Sequence, residues 1–290
     1  MDLSRPVLVT GASGRTGRRV IGELLKRKAR VRAFVRREEA GEELKALGVS
    51  EIALGDILDK DALRQAIAGT GQIVHICPPM LQQEDTLAQW MIEMAADAKV
   101  GRFILYSVLH PVLDDVPHHA RKLVAEHHLI ESGLPYTILQ PGRYMQHLTP
   151  IWNTLLETGV HAMPFSTKIR FSLTDLQDLA EATALVATQD GHESATYQLA
   201  GPQPLSQDES AVILSELLGR PIHAAALPLA DVLKKAAASG MAAERVENMR
   251  LMNEHYDRQG LIGNPNVLTW LLGRPPGTFP AFVRRELLKQ

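Results

Sequence analysis

The chain has 290 residues, 45% of them hydrophobic, which suits one large α/β domain or two modest ones. Its 31 Lys+Arg against 33 Asp+Glu leave a net charge of −2, which argues against nucleic acid or an anionic membrane as partner, and 5% aromatic content argues against a base-stacking surface. A single cysteine, Cys77, excludes an internal disulfide and a multi-thiolate metal site, and with no signal pattern in Met1 to Thr10 and no apolar run near ~18 residues the expectation is a cytoplasmic chain that does not span a membrane.

From Pro6 to about Gln140, short apolar runs alternate with longer amphipathic stretches, the pattern of βα units feeding a parallel sheet. Strands are predicted at Val7 to Thr10, Val31 to Val35, Glu51 to Leu54, Gln72 to Ile76, Phe103 to Tyr106 and Thr137 to Leu139. Helices are predicted at Arg15 to Lys28, Glu38 to Leu47, Lys60 to Ala68, Glu84 to Lys99 and His118 to Ser132. Together they make an α/β, doubly wound sheet, with ligand expected at the carboxyl ends of its strands.

The first strand runs into Thr10-Gly11-Ala12-Ser13-Gly14-Arg15-Thr16-Gly17, glycines spaced G-x-x-G-x-x-G at the opening of the first helix. Gly11 allows a tight turn, Gly14 lets backbone approach a pyrophosphate, and Gly17 lets helix pack closely on strand. Ser13, Arg15 and Thr16 complete the turn, and the helix N-terminus offers N–H groups and a positive dipole end to phosphate. This strand–turn–helix context reads as dinucleotide binding. The second strand ends in Arg36-Arg37 where an NAD-binding chain would place a carboxylate, so NADP(H) is favoured, with Arg15 closing on the same 2′-phosphate.

After the third strand, Gly55-Asp56-Ile57 puts a carboxylate beside the adenine, while Asp59 is the better cap for the following helix. His75-Ile76-Cys77-Pro78-Pro79 follows the fourth strand, and its backbone at Cys77 and Pro78 is expected to line the cofactor. Cys77 has no adjacent base in sequence and reads as a structural thiol. Beyond Pro141 the rhythm changes to longer helical patterns with strand-like runs at Lys168 to Ser172, Thr196 to Leu199 and Ile222 to Ala226, and a closing helix at Phe279 to Leu288. The expected division is a cofactor domain at 1–141 and a substrate region at 142–290, part of it free to return to the sheet.

The segments TGASGRTG, VRAFVRR, LGD, HHARKLVAEHHLIESGLPYTILQPGRYMQ, FSLTDLQDLAEA, YQLAGPQPLSQDESAVILSELLGRPI and GLIGNPNVLTWLLGRPPGTFPAFV resemble the NmrA-like group of atypical short-chain dehydrogenases/reductases. The resemblance covers nearly the whole chain. It implies an extended Rossmann fold with a small C-terminal substrate region and an NADP(H) preference. The group includes reductases of quinones, azo compounds and triphenylmethane dyes, and also regulators that bind NADP(H) without consuming it.

Short-chain dehydrogenases usually pair Ser with Tyr-x-x-x-Lys. Here Ser107 ends the fifth strand, and the matching helix carries His118-His119-Ala120-Arg121-Lys122, with no tyrosine. Four residues separate His118 from Lys122, placing both on one helical face. Lys122 is the candidate for the nicotinamide ribose, and His118 or Tyr144 the candidate proton donor. Pro141 and Gly142, in Pro141-Gly142-Arg143-Tyr144-Met145-Gln146, follow the sixth strand and are expected beside the cofactor. Trp152, Met163 and Phe165 either line an acceptor pocket or belong to the core, and Asp175 and Asp178 read as helix-start residues. The histidines of this helix lack ligand spacing, so no metal is expected.

The reading is an NADPH-dependent reductase of a planar electron-poor acceptor such as a quinone or azo compound, acting on small molecules with no nucleic-acid or membrane partner. The alternative is a non-enzymatic NADP(H) sensor that binds a protein partner according to redox state.

Overall fold

The computed structural model describes residues 4–78 and 81–288, so Pro79 of the predicted cofactor-lining turn lies outside them. The chain divides into two compact units, one made of Met1–Pro111, Arg121–Gln140 and Gln177–Tyr197, the other of Val112–Ala120, Pro141–Leu176 and Gln198–Gln290.

The first unit is built on β1 (Val7–Val9), α1 (Arg15–Lys26), β2 (Val31–Val35), α2 (Glu38–Ala46), β3 (Glu51–Leu54), α3 (Lys60–Ile67), β4 (Gln72–His75), α4 (Glu84–Asp97), β5 (Arg102–Tyr106), α5 (Pro117–Glu131) and β6 (Tyr136–Pro141). The predicted strands and helices stand within two residues of these ends, α4 and α1 stopping short of Lys99 and Lys28. The strands lie in the order β10-β6-β5-β4-β1-β2-β3, where the added β10 (Ala195–Leu199) is the run foreseen at Thr196 to Leu199. β1 pairs in parallel with both β2 and β4, Val9 standing beside Ala33 on one side and Val74 on the other. Parallel strands covered on both faces need apolar side chains on both, and Val7, Leu8 and Val9 are all buried. Leu8, Phe34, Leu63, Leu87, Met91, Phe103, Leu129 and Ile138 form one hydrophobic cluster, each such side chain contributing about 1.5–3 kcal/mol by burial.

Arg102 opens β5, one residue before the predicted start. Its buried guanidinium pairs with Glu193 and donates to Val186 O and, at 2.8 Å, to Gln189 O. These carbonyls close α7 (Leu176–Thr188), a C-terminal helix end that favours a cation.

The second unit has two small sheets. β7 (Arg143–Tyr144), β9 (Arg170–Thr174) and β11 (Pro204–Ser206) form one, in the order β11-β9-β7, and β8 (Val160–Met163) pairs in parallel with β12 (His223–Ala226). Its helices are α6 (Trp152–Thr158), α8 (Gln207–Leu218), α9 (Leu229–Ala238), α10 (Ala243–Gln259), α11 (Asn266–Leu272) and α12 (Phe279–Phe282), with a seven-residue 3-10 helix at Met145–Ile151 leading into α6. The predicted closing helix is α-helical only through Phe282 and continues as a π turn over Val283–Leu287. α8 starts on a capping box, Ser206 Oγ accepting from Glu209 N–H at 3.1 Å while Glu209 accepts from Ser206 N–H at 2.9 Å. Met145, Leu148, Trp152, Leu155, Leu214, Phe279 and Phe282 make this unit's core. Among the described residues no helix is long and apolar enough to cross a membrane, and no His/Cys/Asp/Glu group is placed to hold a metal.

Candidate functional site

The order of strands reverses between β1 and β4, the position at which doubly wound sheets open a crevice. Thr10, just past β1, ties the two strand ends together. Its Oγ1 accepts from Ile76 N–H at 2.9 Å, lies 3.2 Å from Ile76 O and stands 3.1 Å from His75 Nδ1. Gly11 then turns at φ +61°, and a Cβ on it would meet Ile76 O at 2.7 Å. A Cβ on Gly17 would stand 2.3 Å from Gly11 O, so the helix comes this close to the turn only because residue 17 is glycine. Gly14 N–H donates to Gly11 O at 3.0 Å and Gly14 serves as N-cap of α1, with no side chain to accept from the first-turn N–H groups. Ser13, Gly14 and Arg15 are exposed, with Thr16 half-buried behind them. This is an open N-terminus on a 12-residue helix, with backbone donors and the positive dipole end available to an anion.

Arg36 and Arg37 follow β2 with exposed side chains, and neither is ion-paired among the described residues. Arg37 is the N-cap of α2 in extended conformation. After β3, Gly55 is hemmed by Ala62 Cβ, 2.5 Å from where its own Cβ would be. Asp56 Oδ1 accepts from Leu58 N–H at 2.9 Å in a local turn, and Ile57 packs partly buried against the hydrophobic cluster. Asp59 caps α3, accepting from Asp61 N–H at 2.9 Å and Ala62 N–H at 3.3 Å, as expected of that aspartate.

Beneath the strand ends lies a buried polar cluster. Lys122 on α5 is only 6% exposed and its Nζ sits 2.5 Å from Glu84 Oε1 and 2.6 Å from Tyr106 O. Glu84, in the first turn of α4, is itself 2% exposed. His75 is fully buried, and burial, reinforced by the Lys122 charge, pushes its pKa down to about 3, so its ring is neutral. Burial and the neighbouring Glu84 carboxylate push the Cys77 thiol well up, which makes it inert as a nucleophile. Pro78 follows it, half-buried. Ser107 ends β5, buried, its N–H donating to Leu139 O at 2.8 Å. Burial raises the pKa of Glu126, opposed by the neighbouring Ser107 and Gln140 side chains and by the Lys122 charge. Gln140 Nε2 donates to both Glu126 oxygens, at 2.9 and 3.0 Å. Neither Glu84 nor Glu126 stands out in sequence; the one signal for Glu84 is that a buried lysine needs an anion.

The remaining candidates belong to the second unit. Pro141 closes β6 and Gly142 N–H donates to Leu199 O at 2.9 Å. A Cβ on Gly142 would press on Ser172 O and Thr174 Oγ1 at 3.0 Å, so packing alone asks for glycine there. His118 meets His119 edge to face at 5.9 Å between ring centres, and His119 Nε2 lies 2.8 Å from the Tyr256 hydroxyl on α10. Tyr144 stacks on His147 at 5.5 Å and, with Met163 and Phe165, lines a pocket, whereas Trp152 is 8% exposed and belongs to the core. Asp175 is more than a helix-start residue: it is buried, pairs with Arg285 at 2.7 Å and accepts from Gln146 Nε2 at 2.9 Å.

The sequence model of the NmrA-like family matches residues 4–269. The chain is 29% identical over 279 residues to the NAD(P)H azoreductase of Xenophilus azovorans, covering 96% of both. It is 26% identical over 275 residues to quinone oxidoreductase 2 of Escherichia coli (strain K12), covering 94% of this chain and 95% of that one. Among solved structures, the NADPH complex of the Escherichia coli NADPH-dependent quinone oxidoreductase matches with TM-score 0.84 at 25% identity, over 96% of this chain and 99% of that one. The NADP(H) complex of Citrobacter sp. triphenylmethane reductase matches with TM-score 0.84 at 25% identity, over 97% of this chain and 100% of that one.

Proposed function

The chain belongs to the NmrA-like family, and from that premise we propose that it is an NADPH-dependent reductase passing hydride to a planar, electron-poor small molecule such as a quinone or an azo compound. The observation that carries the reading is the pairing of an open, uncapped helix N-terminus at Gly14 with two exposed, unpaired guanidinium groups at the end of the neighbouring strand. Helix N-terminus and glycine turn suit a pyrophosphate; Arg36 and Arg37, with Arg15, suit the extra 2′-phosphate of NADP(H). The azoreductase, quinone oxidoreductase and triphenylmethane reductase names of its relatives supply the acceptor class.

In this reading Gly11, Ser13, Gly14 and Thr16 bind the phosphates through backbone and hydroxyl donors, Asp56 and Ile57 border the adenine, and the backbone at Cys77 and Pro78 lies along the cofactor. Lys122 holds the nicotinamide ribose beside Ser107, its charge secured by Glu84 and its Nζ aimed by the Tyr106 carbonyl. Pro141 and Gly142 border the nicotinamide end. The bound cofactor supplies the hydride. An electron-poor acceptor takes it with little acid assistance, so the missing tyrosine is tolerable; the proton comes from water or from His118 or Tyr144.

The test is NADPH consumption against a panel of quinones and azo compounds, with cofactor binding measured separately by calorimetry. Steady consumption with at least one acceptor is expected. NADPH bound tightly yet untouched across the panel overturns the reductase reading and leaves the redox sensor in its place.

A further inference from the structure

A pocket of about 480 Å³, open mouth included, lies wholly within the second unit. Its walls are mostly aromatic and apolar, with Tyr144, Met163, Phe165 and Phe171 among them, and no acidic residue among the described ones lines it. One permanent cation stands in this wall. The Arg143 guanidinium lies 4.9 Å from the centre of the Phe165 ring and 4.8 Å from that of Phe171.

Ring faces attract the charge, but they leave the guanidinium's in-plane N–H donors without acceptors. Among the described residues the acceptor offered to the Arg143 side chain is the Met163 thioether, 3.9 Å from Nη2, and sulfur is a weak acceptor. Burial lowers the Arg143 pKa to about 10, which still leaves it charged at neutral pH. Two more polar atoms on this wall, His161 Nδ1 and Gln207 Oε1, are buried with no hydrogen-bond partner among the described residues. Gln207 is held in place from its other end, Nε2 donating to His161 O and, at 2.9 Å, to Ala225 O. Burial, then the charge of Arg143, brings the His161 pKa down to about 4, so its ring is neutral and adds no second cation. A planar fork of donors beside two adjoining phenyl rings, whose centres are 4.8 Å apart, matches a flat molecule that carries a carboxylate or sulfonate: the oxygens satisfy the donors and the ring system replaces water on the aromatic wall.

We propose that this pocket binds a planar aromatic acid, its anionic group paired with Arg143 and its ring system laid against Tyr144, Phe165 and Phe171. That the occupant is the acceptor rests on the reductase reading above; the binding site itself does not. On that reading the acceptor class narrows from planar electron-poor molecules in general to those bearing an acidic group.

The experiment compares binding of naphthalenesulfonate and the uncharged naphthalenesulfonamide to the full-length chain by calorimetry, with and without NADP(H). The wild type should prefer the sulfonate by about tenfold or more. Arg143→Met should bring that ratio close to one, and Arg143→Lys, which keeps the charge but not the fork, should retain part of it. Equal affinities in the wild type, or a preference that survives Arg143→Met, overturn the proposal. Should Arg143→Met fail to fold, the wild-type ratio and the Arg143→Lys ratio still decide. NADPH consumption with uncharged naphthoquinone separates the two readings. A chain that binds naphthalenesulfonate through Arg143 but consumes NADPH with no acceptor keeps the pocket and loses the reductase; a chain that reduces naphthoquinone and shows no anion preference keeps the reductase and loses the pocket.

Discussion

Gly17 sets how near α1 comes to the turn that precedes it, because any Cβ there would be driven into the Gly11 carbonyl. Gly17→Ala is therefore expected to destabilise the fold by about 1–3 kcal/mol, seen as a lower melting temperature, and to weaken NADPH binding in parallel. A variant with wild-type melting would show that the backbone moves aside at no cost. Arg36 acts differently, since its exposed side chain supports nothing in the fold. Arg36→Ala should leave melting unaltered and weaken NADPH by roughly ten- to a hundredfold, the loss of a charge-assisted hydrogen bond, while NADH changes little. Equal losses for both cofactors would remove Arg36 from the 2′-phosphate. Both residues are legible in sequence because their roles depend on chain neighbours: a turn, a helix start, a strand end. Arg143 was in plain view within the Pro141 to Gln146 segment and carried no such signal, since the rings around it come from β8–β9 residues well downstream.

The helices α4 and α5 are joined by the buried Glu84–Lys122 pair. A buried pair contributes little over a well-packed apolar one, but removing one partner strands a charge, at about 3–5 kcal/mol. Glu84→Leu should thus lower stability strongly, and adding Lys122→Met to it should recover much of the loss; urea unfolding of the two single variants and the double variant measures the coupling, and additive losses would mean the pair is not coupled. Helix α8 depends on its own start. Ser206→Ala removes the acceptor for Glu209 N–H and should cost about 1 kcal/mol, against no change if the capping box is idle. The strands β7 and β8 carried no signal in sequence, and both exist because a partner strand well downstream, β9 for β7 and β12 for β8, supplies their hydrogen bonds. Arg102 escaped as a strand residue because its reason for burial, the end of α7, lies more than eighty positions away.

Across the whole molecule, acid sensitivity follows from two buried neutral histidines. His75 and His161 have folded pKa values of about 3 and about 4, below the ordinary value of about 6.5, so the unfolded chain binds more protons between those limits. Stability therefore falls as pH drops from about 6.5 toward 4, by up to about 1.4 kcal/mol per pH unit for each group. Urea midpoints followed from neutral pH to about pH 4 should show this slope, and His75→Asn should lessen it by one group's share; a flat profile in the wild type would show that both rings are solvated in the fold. The sequence by itself determined the alternation of strand and helix, the glycine turn, the paired arginines at the end of β2 and the family resemblance, because backbone propensity, periodicity and turn chemistry act between residues a few positions apart. Only the tertiary structure decided which charges are buried and against what: Lys122 on Glu84, His75 beside them, Arg143 against two adjoining phenyl rings. Periodicity tells which face of an element turns inward, but hydrophobic burial has no direction of its own, and the desolvation that sets a buried group's charge and chemistry depends on neighbours that the fold alone brings together.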